Sequence, residues 1–166
     1  QMFLTLHQPC VIDVQQLVGV YQPGAVLRDH RGMDVYVGNY VAPTGGPYIG
    51  AALADLLESM DRRSPFDVHV DYEKLHPFTD GNGRAARLVT DAHLLAAGFS
   101  GIIVTPRSRD LYIKALRGVS RRDSSRDDWR TLWISTMEKL YRAYRELPVR
   151  SNEDVLDFCR KENLQA

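Results

Sequence analysis

With 166 residues, 44% of them hydrophobic, the chain has the length of one domain and enough apolar material for one core. Its 21 basic and 21 acidic residues cancel, so no overall field draws it to nucleic acid or to an anionic membrane, and a general nucleic-acid binder is disfavoured. Cys10 and Cys159 stand far apart, which is neither a disulfide framework nor a zinc spacing; no stretch has the length and apolarity of a membrane span, and no signal peptide is visible, so a cytoplasmic setting is the expectation, with a secreted effector or targeting by a missing flanking domain as the alternatives.

In chain order, Asp13 to Gly19 is predicted helical, and Tyr21 to Gly32 reads as a Pro/Gly-bounded connection. From Gly32 to Pro43 apolar residues alternate over a short run that includes Val35, Tyr36 and Val37, with Thr44, Gly45, Gly46 and Pro47 close behind, the pattern of a short strand or hairpin. Tyr48 to about Met60 follows as a helix with Leu53, Leu56, Leu57 and Met60 on one face. Pro65 opens a further helix through Val68, His69, Tyr72 and Leu75, in which His69 is read as a packing residue.

The segment from His76 to Arg87, His-Pro-Phe-Thr-Asp-Gly-Asn-Gly-Arg-Ala-Ala-Arg, combines a proton acceptor, a carboxylate, a glycine-flanked bend and two guanidinium groups. Gly81 and Gly83 free the backbone on either side of Asn82, and successive N–H groups in such a bend make an anion-binding nest. Just beyond it Ala85, Ala86, Leu88, Val89, Ala92 and Leu95 recur at helical spacing until Gly98, so the bend opens a helix whose N-terminus adds to the anion site. Arg84 and Arg87 in its first turns oppose the helix dipole, which a bound anion explains better than helix stability does. Asp80 would repel a bare phosphate, but one carboxylate with phosphate oxygens is a usual way to hold Mg2+. His76, with an unperturbed pKa of about 6.5, suits the removal of a proton from an attacking hydroxyl. Together these residues outline a phosphate-transfer site.

Further on, Pro106 precedes a helix around Leu111 to Leu116, a last long helix covers Trp129 to Leu147, and another begins near Ser151. Tyr112, Ala115, Leu116, Trp129, Leu132, Trp133 and Met137 are read as core. The mixed-sign run between Arg117 and Asp128 is read as a solvated loop and helix start, with no binding role.

The segment His76 to Arg87 resembles the Fic family signature His-x-Phe-x-(Asp/Glu)-Gly-Asn-Gly-Arg-x-x-Arg at every fixed position. That resemblance implies an all-α fold, a helical bundle with a small β-hairpin flap, formed by residues 1–166 as one domain with the flap at about 32–47 and the motif at 76–87. It also implies an enzyme that transfers AMP from ATP to a tyrosine, threonine or serine hydroxyl of a target protein, releasing pyrophosphate. By position, His76 resembles the family's general base and Asp80 its Mg2+ ligand. Gly81, Asn82 and Gly83 correspond to the anion hole, and Arg84 and Arg87 to the residues that orient the β- and γ-phosphates. Phe78 corresponds to a buried loop anchor. Val35, Tyr36, Val37 and Gly38 fall where the family flap holds the target segment by main-chain pairing.

Many Fic enzymes are inhibited by a glutamate in a helix of pattern (Ser/Thr)-x-x-x-Glu-(Gly/Asn) that pairs with the second motif arginine, here Arg87. Glu162-Asn163 has the final pair, but Phe158 stands where Ser or Thr is required, so 151–164 is a regulatory-helix candidate lacking its full pattern. The alternatives are a brake on a separate antitoxin-like partner, a brake in a missing flanking segment, or no brake. Two other readings of the same residues are an enzyme using another nucleotide or phosphate-containing donor, and a non-catalytic nucleotide-binding interaction module.

Overall fold

The computed structural model describes residues 8–38, 40–97 and 109–120, with Gly101, Val104, Pro106 and Ile134 singly. The chain divides into two compact units, Gln1–Phe99 and Ser100–Ala166. In the first, α1 (Val11–Tyr21) leads to a hairpin of β1 (Tyr36–Val37) and β2 (Tyr40–Val41), then α2 (Pro47–Glu58), a 3-10 turn (Met60–Arg62), α3 (Pro65–Leu75) and α4 (Asn82–Ala96). The second unit contributes α5 (Arg109–Ser120), on which Tyr112 is buried. Apart from Ile134, the segments Trp129 to Leu147 and 151–164 lie outside the described residues.

Local chemistry sets the helix starts. Helix α1 begins two residues before the predicted Asp13 because that carboxylate accepts from the Cys10 N–H at 2.8 Å and so occupies the third helical position. Pro47 and Pro65 each stand in the first turn of their helices, where a missing N–H is harmless. Ser64 caps α3 by accepting from the Asp67 N–H at 3.1 Å.

Helix α4 packs on α3, α3 on α2, and α1 on both α2 and α4. Their shared core holds Val14, Val18, Ile49, Leu53, Leu56, Leu57, Met60, Val68, Tyr72, Phe78, Ala85, Ala86 and Val89. The predicted apolar stripe of α4 is corrected at two places: Leu88 and Leu95 are 41% and 48% exposed, and the buried side is Ala85, Ala86, Val89, Thr90 and Leu94. Two repeats at three- and four-residue steps overlap in this sequence. The one with small residues at its start lets α4 approach α3 closely.

Inside that contact, Thr90 donates to the Ala86 carbonyl at 2.7 Å, so its oxygen must accept from His69 Nδ1–H at 3.0 Å. His69 is fully buried, and burial pushes its pKa down to about 3, a hydrogen bond involving Ala86 opposing and Arg87 adding to the shift. It is the packing residue its sequence position suggested.

Candidate functional site

Between α3 and α4 the chain runs from His76 to Gly81. His76 ends α3 in the left-handed region, φ 49° and ψ 58°, where glycine is the usual occupant. It is the one non-glycine residue with positive φ among those described, and such a conformation costs about 1–3 kcal/mol. A side chain retained there at that cost points to a use for the imidazole. Its Nδ1 faces the Glu73 carbonyl at a long 3.4 Å. A carbonyl only accepts, so the proton sits on Nδ1, and Nε2 is the ring's proton acceptor. Burial lowers the His76 pKa, with the Glu73 contact opposing, which keeps the ring neutral at neutral pH.

The loop after His76 is held like a strand. Leu27 and Phe78 form an antiparallel bridge, Arg28 N–H donates to the Pro77 carbonyl at 2.9 Å, and Thr79 N–H donates to the Val26 carbonyl at 3.0 Å. Phe78 is 1% exposed and fills the core beneath, a burial worth about 1.5–3 kcal/mol.

Arg28, which the sequence placed in a plain connection, is fully buried. Its Nε donates to the His76 carbonyl at 2.7 Å and one terminal nitrogen to that of Leu75 at 3.0 Å; the other donates to the Met33 and Pro43 carbonyls, both at 2.9 Å. One guanidinium thus ties the turn at His76 to both ends of the hairpin segment.

The hairpin pairs Tyr36 with Val41 and Val37 with Tyr40, so β1 and β2 meet at the predicted flap. Gly38, at φ 60°, opens the two-residue connection with the positive φ that such turns require. Tyr36 is 70% exposed and Val37 44%, and among the described residues the sheet has only these two strands, which leaves an outward edge. Tyr40 donates from its hydroxyl to the Lys74 carbonyl at 2.7 Å, a second tie to α3.

Helix α4 starts at Asn82 behind Gly81, whose φ of 77° suits glycine; a Cβ there would lie 3.0 Å from the Tyr21 ring. No side chain caps this helix, so its first-turn N–H groups are available to an anion. The buried Asn82 amide is engaged in the loop: Oδ1 accepts from the Phe78 N–H at 2.8 Å, and Nδ2 donates to the Phe78 carbonyl at 2.7 Å. What Asn82 can offer a phosphate is therefore its backbone. Gly83 leaves a gap that a Cβ would fill, 3.5 Å from Glu73 Oε1 and 3.6 Å from an Arg87 nitrogen.

Asp80 is exposed at the mouth of this turn, its Oδ1 accepting from the Gly81 N–H at 2.6 Å and its Oδ2 from Gln22 Nε2 at 2.6 Å. Arg84 stacks over Tyr21, 4.6 Å from the ring centroid, and donates to the Gln22 side-chain carbonyl. Gln22 and Tyr21 were not singled out from sequence. Among the described residues no three His, Cys, Asp or Glu side chains gather as a metal site. A single exposed carboxylate beside an uncapped helix N-terminus does fit Mg2+ held jointly with phosphate oxygens. No described helix is long and apolar enough to cross a membrane, and Glu162 lies outside the described residues.

The comparisons with known proteins point one way. Protein adenylyltransferase fic-1 of Caenorhabditis briggsae is 32% identical over 95 residues, 52% of this chain and 18% of the relative. Protein adenylyltransferase Fic of Aedes aegypti is 32% identical over 105 residues, 57% of this chain and 21% of the relative. The matches thus span about a fifth of the length of these curated relatives. Among solved structures, Fic-1 from Caenorhabditis elegans superposes with a TM-score of 0.67 at 22% identity, covering 91% of this chain and 48% of that one. A Fic family protein from Desulfovibrio desulfuricans gives 0.57 at 18%, covering 93% and 57%. These structures establish the mostly helical Fic fold with its small hairpin. The Fic/DOC family model matches residues 3–94, more than half of the sequence, and the chain belongs to that family.

Proposed function

We propose that this chain is the catalytic segment of a protein adenylyltransferase that transfers AMP from ATP to a tyrosine, threonine or serine hydroxyl of a target protein. The observation that carries the reading is the pairing, on one clamped loop, of His76 with its acceptor nitrogen and the uncapped N-terminus of α4. A base alone would suit many reactions, and an anion site alone would suit a binding module. Their succession within six residues suits attack of a hydroxyl on a phosphate.

In that reaction His76 Nε2 takes the proton of the target hydroxyl as its oxygen bonds to the α-phosphorus of ATP. The bond from that phosphorus to the bridging oxygen breaks, and pyrophosphate leaves. Backbone N–H groups of Asn82 and Gly83 line the phosphates, with Gly81 making the left-handed turn that exposes them, while Arg84 and Arg87 balance the charge of the β- and γ-groups. Bound at Asp80, Mg2+ would supply charge neutralisation across the same phosphates. The target chain pairs with the edge formed by Val35 to Gly38, which the Arg28 and Tyr40 ties keep in register with His76. Naming of the relatives as protein adenylyltransferases supports AMP as the transferred group.

The test is incubation of the purified chain with Mg2+ and ATP labelled at the α-phosphate, with and without a cell lysate, beside His76→Ala. Label on protein with the wild type and a loss of about 10²–10⁴-fold in the variant is the expected result. Equal labelling by both would remove His76 from the chemistry, and transfer of label from a different nucleotide alone would replace AMP.

A further inference from the structure

We infer that Gln22 is a positioning residue of the nucleotide site, an uncharged spacer that holds Asp80 and Arg84 apart so that one remains free for a divalent cation and the other for a phosphate. The inference rests on the phosphate-transfer reading above.

Its basis is a three-residue arrangement at the C-terminal end of α1. The Gln22 backbone is fixed on both sides, its N–H donating to the Val18 carbonyl at 2.8 Å and its carbonyl accepting from the Ala25 N–H at 3.1 Å. From that anchor the side-chain amide reaches two groups of opposite charge. Nε2 donates to Asp80 Oδ2 at 2.6 Å, and Oε1 accepts from Arg84. The orientation of the amide follows from chemistry, because a carboxylate only accepts and a guanidinium only donates. Tyr21 completes the support for Arg84: its carbonyl accepts from the guanidinium at 3.2 Å and its ring lies beneath it, while its hydroxyl donates to the Gly81 carbonyl at 3.0 Å.

Asp80 and Arg84 are four residues apart where a helix begins, a spacing at which opposite charges readily pair. Among the described residues no ion pair joins them. Direct pairing would engage the cation ligand and the phosphate ligand with each other, and both would have to be released before a metal-bound nucleotide could enter. The Gln22 amide satisfies each group while neutralising neither, so both side chains are ordered before the ligand arrives. Asparagine is one methylene shorter, and glutamate offers no donor to Asp80.

The measurement is the affinity of the purified chain for ATP, by calorimetric titration in excess Mg2+ and again in EDTA, for wild type, Gln22→Ala and Gln22→Glu, with a melting curve of each. We expect Gln22→Ala to bind ATP about tenfold more weakly in Mg2+, the scale of ordering side chains anew. The gain in affinity on adding Mg2+ should shrink, with the melting temperature unchanged. Gln22→Glu should bind more weakly still in EDTA, where its charge pairs with Arg84 and repels the triphosphate. Wild-type affinity and Mg2+ dependence in Gln22→Ala would overturn the inference, as would a loss of affinity matched by a lower melting temperature. A wild type that binds ATP but transfers no AMP, even as Glu162→Gly and in the presence of a cell lysate, would overturn the transfer reading alone and leave the Gln22 result decisive. A wild type that binds no Mg2+-bound nucleoside triphosphate would overturn both.

Discussion

His76 and Asp80, four residues apart, are held by opposite means. The His76 turn is fixed from below by the buried Arg28 guanidinium and by strand-like pairing of Pro77 to Thr79 with Val26 to Arg28. Asp80 and Arg84 are exposed and are held from the side by Tyr21 and Gln22. The proposed base therefore sits on a rigid support, while the proposed metal and phosphate ligands are ordered by exposed contacts that an arriving ligand can exchange. A base must lie within hydrogen-bond reach of one proton, and that demands a fixed backbone. A polyphosphate brings its own charges and can draw long side chains onto itself.

Breaking the rigid half should have the largest effect. Arg28→Ala would orphan the carbonyls of Met33, Pro43, Leu75 and His76, and a buried unpaired group costs about 1–3 kcal/mol. Even with water entering part of the gap, a loss of about 4 kcal/mol or more is expected in urea denaturation. Arg28→Lys should recover only a fraction, since an ammonium has three donors and no planar fork. A loss below about 1 kcal/mol in Arg28→Ala would mean that backbone pairing alone holds the turn.

A smaller, pH-dependent effect should arise at His69. The unfolded chain takes up a proton there as pH falls below about 6.5, whereas the folded ring resists until about 3. Between those values the unfolded state binds one more proton, so stability falls by about 1.4 kcal/mol for each unit of acidification. His69→Gln keeps a donor for Thr90 and does not titrate. Its stability should fall less steeply than that of the wild type from pH 6.5 to 4.5, the curves differing by about 2–3 kcal/mol at the lower end. Parallel curves would show that His69 charges freely in the folded state.

The same contrast explains what the sequence disclosed. From His76 to Arg87 nearly every residue has a chemical reason to be where it is, so the bend, the helix that follows and the hairpin upstream were all legible. Arg28 was not, because in the run Leu27-Arg28-Asp29-His30-Arg31 nothing local separates it from the exposed Arg31. Its partners are carbonyls of Met33, Pro43, Leu75 and His76, and carbonyls leave no mark in a sequence. Gln22 escaped for a related reason, since it is 58 residues before Asp80 and contacts it only once α1 packs beside α4. Leu88 and Leu95 were misplaced because two helical stripes overlap and only the fit against α3 selects between them.

The finest test lies where the rigid half meets the hairpin. Tyr40 is half-buried, and its hydroxyl donates to the Lys74 carbonyl at the end of α3. Tyr40→Phe removes that one bond and keeps the ring, so global stability should fall by only about 1 kcal/mol. Its local consequence should be larger than its global one, because a hairpin with two residues in each strand has little pairing of its own. Amide exchange should therefore quicken at Val37 and Tyr40 while the amides of α3 and α4 keep their protection. Faster exchange in α3 as well would show that the tyrosine braces the His76 turn itself; no change at the hairpin would leave Arg28 as its sufficient anchor.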